Sequence, residues 1–107
     1  MEIFKRLNKK GYKHYYDGTV EELDSMDKDN QHLHSEIMQV IMWLYEKHGI
    51  WVRVTPIPYS DNLTHWRWEH MSVDYSTRNM KWKKQQDYMS LTEAYEAAIE
   101  YCLTKLI

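Results

Sequence analysis

The chain is poor in residues that punctuate or cross-link a fold: one cysteine, two prolines, three glycines and a single phenylalanine. A lone cysteine excludes an intramolecular disulfide and a paired-cysteine zinc site. Cys102 falls on the apolar stripe of a predicted helix, where a thiol is a small buried hydrophobe rather than a nucleophile. Each glycine is accounted for by a turn or a helix end, which leaves none for a phosphate-cradling loop. Long apolar runs are missing too. The longest, Val40 to Tyr45, is far too short to span a bilayer, and Met1-Glu2-Ile3-Phe4-Lys5-Arg6 opens no stretch of signal-peptide length. The expectation is a soluble, cytoplasmic protein of one domain with no membrane partner. A net charge of −2 argues against duplex nucleic acid as a partner, since a duplex binder normally carries a strongly basic face.

What is abundant is the aromatic ring with a polar handle. Five Trp and nine Tyr suit half-buried sheet faces and binding surfaces, although a small domain also uses such rings simply to bury area. Charge is segregated as well. Residues 1–18 hold five basic side chains against two acidic ones, and residues 19–36 hold six acidic against one basic. Adjacent blocks of opposite sign fold toward each other or leave a solvated acidic loop.

Ile3, Phe4 and Leu7 share one face of a short helix over residues 2–10, which Gly11 ends. Tyr12 to Tyr16 reads as a short extended segment, closed by Asp17-Gly18. Residues 20–30 read as an acidic loop with one helical turn at Val20 to Leu23. A long helix runs from Gln31 or Ser35 to His48, with Ile37, Ile41 and Leu44 at helical spacing and Met38, Met42 and Tyr45 on its flank; Gly49 stops it.

A strand follows at residues 51–57, with Val52 and Val54 on one face and Trp51, Arg53 and Thr55 on the other. Pro56 and Pro58 put its far end at a sheet edge. Residues 64–73 form the antiparallel return strand, and residues 80–88 a third. Ser90-Leu91-Thr92-Glu93 matches a capping box for a last helix running to Ile107. Its stripe is Leu91, Ala94, Ala98, Cys102 and Leu106, with Glu93, Glu96, Glu100 and Thr104 facing water. These elements predict an α+β domain of two layers, a meander of two or three antiparallel strands packed against two amphipathic helices. Residues 1–30 supply an N-terminal helix and acidic loop, and residues 31–107 the helix-hairpin-helix core. Ile41, Leu44, Val52, Val54, Ala98, Cys102 and Leu106 are the expected core.

The string Gln39-Val40-Ile41-Met42-Trp43-Leu44-Tyr45-Glu46-Lys47-His48-Gly49-Ile50 resembles a helix-end motif, Q-x-x-x-W-L-R-E-K-x-x-I. That motif occurs in a family of small proteins encoded by phages and mobile elements of Bacteroides-like bacteria. Ser90 to Glu100, with the terminal Leu106-Ile107, is similar to the family's closing Tyr-Glu-Glu-Ala segment and Ala-rich helix. The similarity covers residues 35–107. It departs at Tyr45, where an arginine is frequent, and in a Trp-rich return strand. No catalytic residue, cofactor or activity comes with it. What the resemblance implies is context: a small early or accessory phage protein acting in the bacterial cytoplasm.

Six histidines raise the question of a metal, but His32, His34 and His48 have no ligand spacing, and solvated histidines at a helix start are the plainer reading. His14, Asp17, Glu69 and His70 have no spacing that requires an acid–base pair. Neither a catalytic set nor a cofactor is expected. The set with chemistry in it is aromatic and basic: Trp51, Arg53, Arg78, Lys81, Trp82 and Lys83. Rings beside cations suit flat anionic ligands, because rings stack on bases while cations meet phosphate. The competing reading makes Trp43, Trp66 and Trp68 core, with Arg67 and Glu69 facing out and Glu69 forming a solvated cross-strand pair with Arg53. The function expected is therefore binding, by an inhibitor or sponge of a host defence component, whose partner is a host protein or a nucleotide-like anion. The alternative is a nucleic-acid-binding regulator using residues 78–84. Homo-oligomerisation is left open.

Overall fold

The structure is a computed structural model. It describes residues 2–58, 64–72, 83–88 and 90–107, with backbone alone at 57–58, 64, 72 and 83–87. In chain order the elements are α1 (Ile3–Lys9), α2 (Val20–Ser25), α3 (Gln31–His48), β1 (Ile50–Pro58), β2 (Thr64–Ser72), β3 (Lys83–Tyr88) and α4 (Leu91–Tyr101), followed by a π-helical turn at Cys102–Leu106. The three strands form one antiparallel sheet in the order β1-β2-β3, and the expected α+β architecture is present.

The two oppositely charged blocks meet. Ile3, Phe4 and Leu7 bury one face of α1, and its first amides donate to a carboxylate of α2: Phe4 N to Asp24 Oδ1 at 2.8 Å and Lys5 N to Asp24 Oδ2 at 3.3 Å. Those amides have no partner within their own helix, so an acidic side chain there satisfies both a donor and the positive helix end. Instead of a loop with one turn, residues 20–25 form a helix with a full capping box. Glu22 N donates to Thr19 Oγ1 at 3.1 Å, and Thr19 N donates back to Glu22 Oε1 at 3.3 Å.

Asn30 caps α3 by accepting from His32 N at 2.8 Å, and Gly49 ends it with φ 65°, a left-handed conformation that a Cβ would strain. The buried stripe is Leu33, Ile37, Val40 and Leu44; Ile41 is only half-buried, because the stripe is centred one position earlier than its expected place. Glu36 belongs to the buried stripe as well. Its carboxylate accepts from Tyr15 N at 3.0 Å, from Tyr16 N at 2.7 Å and from the Tyr12 hydroxyl. That explains why Tyr12 to Tyr16, expected as an extended segment, joins no strand: its amides are satisfied by a side chain of α3. Burial, together with the same carboxylate, holds the Tyr12 hydroxyl firmly protonated.

The strand phase is as the alternation predicts. Val52 is buried and Arg53 exposed, and the register pairs Val52 with His70 and Val54 with Trp68 on the helix-covered face. Val54 is half-buried rather than fully so. In α4, Ser90 Oγ accepts from Glu93 N at 3.2 Å, and Ala94, Ala98, Ile99 and Cys102 are wholly buried. Small alanines let α4 lie close on the sheet. Two expectations for this helix are corrected. Leu91 is 42 % exposed and Glu96 only 6 %, because the buried arc runs through Ala94, Ala98 and Ile99 and turns Glu96 toward Lys28. The α-helix also stops at Tyr101, and the next five residues widen to a π turn in which Ile107 N donates to Cys102 O at 2.9 Å. Leu106 lies at the margin of the core there, partly buried. One cluster joins Phe4, Leu7, Leu23, Ile37, Leu44, Val52, Trp68, Ile99 and Cys102.

Candidate functional site

Of the six aromatic and basic residues singled out in the sequence, Trp51 and Arg53 have described side chains. Trp51 is half-buried, its ring 4.0 Å between centroids from Tyr45 of α3, so part of its surface serves the α3–β1 packing. Arg53 donates to Glu69 Oε2 at 2.9 Å, and the Glu69 side chain is only 6 % exposed. The expected cross-strand pair therefore exists, but its acid is buried rather than solvated, which ties the guanidinium down. The two residues border an open hollow of about 390 Å³ with Val52 and Met71. Arg78, Lys81 and Trp82 lie outside the described residues. Lys83 starts β3, where the register sets it opposite His70 and sets Lys84 opposite Glu69; Lys84 thus takes the position beside the Arg53–Glu69 pair.

A larger cavity lies elsewhere. A cleft of about 670 Å³ opens between the outer flank of α4 and the β2–β3 strands. Its floor is aromatic: Trp68, Tyr88 and Tyr101. The ring of Tyr101, half-buried, lies 5.3 Å from Trp68 and 4.9 Å from His70, a cluster of three mutually tilted rings whose Trp68 is 3 % exposed. Among the described residues the Trp68 indole N–H has no hydrogen-bond partner. One wall is carboxylate. Glu93, Glu96 and Glu100 recur along α4 at three- and four-residue spacing and so share one helix flank. Lys28 and Lys105 stand at the rim.

Two of the three acids are already paired. Both Glu96 oxygens accept from Lys28 Nζ, and Glu100 accepts from the Arg6 guanidinium and, at 3.3 Å, from Thr104 Oγ1. The Arg6 bond holds the Glu100 carboxyl below the usual glutamate range and raises the guanidinium further. Glu93 has no such pair among the described residues. The result is a ligand-sized recess with an apolar, ring-lined floor and fixed negative charge along one side.

Sequence reasoning placed these glutamates in water and missed the cleft. The available signal was the spacing of 93, 96–97, 100–101 and 104, which puts carboxylates, Ala97 and Tyr101 on a single flank rather than distributing them around the helix. Among the described residues no cluster of three or more His, Cys, Asp or Glu is arranged to hold a metal, and no helix is long and apolar enough to cross a membrane. His34, expected to be solvated, is exposed, but its Nε2 also lies 2.6 Å from Lys28 O and 3.0 Å from Thr92 Oγ1, tying the starts of α3 and α4 together. No protein-family model matches the chain, and neither a curated protein nor a solved structure is similar to it at a significant level.

Proposed function

We propose that this protein works by binding rather than by catalysis, and that it captures a partner protein by receiving one of its cationic or aromatic side chains in the α4–sheet cleft. The observation that carries this reading is the cleft's lining, an aromatic floor of Trp68, Tyr88 and Tyr101 beside the carboxylates of α4. A guanidinium or ammonium over a ring face is attracted by the ring's quadrupole, and a neighbouring carboxylate adds charge and hydrogen bonds. Acid–base chemistry is less well served. Glu100 is kept ionised by Arg6 and so is not a ready proton donor, and both oxygens of Glu96 are occupied by Lys28 Nζ. The resemblance of residues 35–107 to phage-borne proteins supports a host component as the captured partner, with interference in host defence as the outcome.

The test is a pull-down from lysate of the bacterial host with wild type, Glu93→Arg and Thr104→Trp. Both altered positions are exposed, and melting curves check that each variant keeps its fold, while the first reverses the charge of Glu93 on the wall and the second fills the cleft. Capture by wild type and loss in both variants supports the reading. Equal capture by all three proteins removes the cleft from the account and turns attention to Trp51.

A further inference from the structure

A second recess has the opposite electrostatic character. Where the segment after α1, residues 11–15, runs along the second half of α3, a groove of about 340 Å³ is bordered by Tyr15, Met42, Trp43, Lys13, Lys47 and Glu46. That volume is at the small end of ligand-sized sites, which run from about 300 to 1,000 Å³. Tyr15 is the most exposed large apolar side chain among the described residues, at 72 %, although its backbone N–H is pinned to buried Glu36 at 3.0 Å. The backbone is anchored at a buried acid while the side chain stands in solvent. Trp43 is half-buried, with its ring edge-on to Tyr12 at 5.5 Å and to His48 at 4.7 Å.

Several cations elsewhere in the chain are committed to carboxylates. Arg6 is committed to Glu100, Lys28 to Glu96 and Arg53 to Glu69, and Lys5 lies near Glu2 and Glu21. Lys13 and Lys47 are exposed and have no ion pair among the described residues. With Glu46 counted, the groove keeps a surplus of one positive charge beside two accessible rings.

The geometry points to a nucleotide site: a nucleobase stacked on Tyr15 and Trp43, with its phosphate met by Lys13 and Lys47. Stacking tolerates any base because every base has a π-face, and ammonium groups supply the backbone contact. The site is independent of the α4–sheet cleft, whose carboxylates would repel the same ligand. The phosphate-bearing base can belong to a free nucleotide or to a single strand, and the two sources are separable by experiment.

Binding is measured at low salt with two probes, a short fluorescein-labelled oligothymidylate by anisotropy and ATP by calorimetry. The proteins are wild type, Tyr15→Ala, the double variant Lys13→Ala/Lys47→Ala, and Lys5→Ala as a charge control away from the groove. All the altered side chains are partly or fully exposed, and superimposable melting curves confirm that the fold is intact. Tyr15→Ala is expected to weaken binding about fivefold or more, the loss of one stacked base. The double variant should reduce the slope of log affinity against log salt for the oligonucleotide by about 1.4, the share of two phosphate contacts on a single strand. Lys5→Ala should bind as wild type does. Binding of both probes assigns the site to nucleotides at large, and binding of the oligonucleotide alone assigns it to a strand. Failure of both probes at low salt overturns the proposal, as does an affinity that Tyr15→Ala and the double variant leave unchanged.

Discussion

Lys28 and Glu96 stand 68 positions apart, yet both carboxylate oxygens of Glu96 accept from Lys28 Nζ, at 2.5 and 2.6 Å. The acid is 8 % exposed at its side chain and the base 52 %, so the pair is buried on one side only. Lys28 O also accepts from Thr92 Oγ1 at 3.0 Å, which ties the segment after α2 to the first turn of α4. Lys28→Met leaves a buried carboxylate without its counter-charge. The expected cost is about 1–3 kcal/mol, between the values for exposed and fully buried pairs. Urea denaturation checks it. Adding Glu96→Gln should recover part of the loss, because the uncompensated charge then disappears; a further loss would show that the pair is not the source.

Ser90→Ala removes the acceptor for Glu93 N at the start of α4. An N-cap of this kind is worth about 0.5–2 kcal/mol. Since α4 covers much of the sheet, the melting temperature should fall by several degrees, and Ser90→Asp should restore it. An unchanged melting curve would mean that α4 is held by packing alone.

Stability should decline in acid through Glu100. Its carboxyl is held below the ordinary value of 4.5 by the Arg6 guanidinium. A depressed carboxylate contributes stability that is fully present above the unfolded value and is lost as pH falls through the lower folded one. Melting temperatures taken from pH about 6 down to about 2.5 should therefore fall more for wild type than for Arg6→Gln. Parallel curves would show that the pair contributes nothing to acid sensitivity.

Cys102 is fully buried, and burial pushes its thiol up to about 12. At neutral pH almost no thiolate forms, and burial keeps the sulfur from reagents in solution. Ellman's reagent should release no colour from the native protein and one equivalent after guanidinium is added. Rapid native labelling would mean that the C-terminal π turn opens freely.

The parts of the fold that were readable in the sequence are those where apolar periodicity and chain punctuation agree. The helix ending at His48 is stopped by Gly49 in the left-handed region, and Val52, Arg53 and Val54 alternate as a half-buried strand must. The buried acids were not readable. Glu36, Glu69 and Glu96 are each of a residue type that a hydrophobicity pattern assigns to water, and each is buried because a partner distant in sequence meets it: the Tyr12–Tyr16 segment, Arg53 and Lys28. Pattern reading sees a residue's class, whereas burial of a charge is decided by what the tertiary fold brings alongside. The cleft escaped for the same reason, since Trp68 and Tyr101 become neighbours only when α4 lies across β2. The Thr19–Glu22 capping box was legible as an S/T-x-x-E signature, and the acidity around it disguised it as loop.

The placement of β1 at the border of the sheet bears on how this protein behaves in company. An outermost strand offers its free backbone groups to any passing chain, and that is how soluble domains aggregate. Here the strand carries prolines at 56 and 58, two positions that share a direction in the pleat and lack an amide hydrogen. An incoming strand would find carbonyls there without the donors that alternate with them, and its ladder would break off after a few residues. Toward its far end, therefore, this border cannot extend the sheet by a full second row of hydrogen bonds.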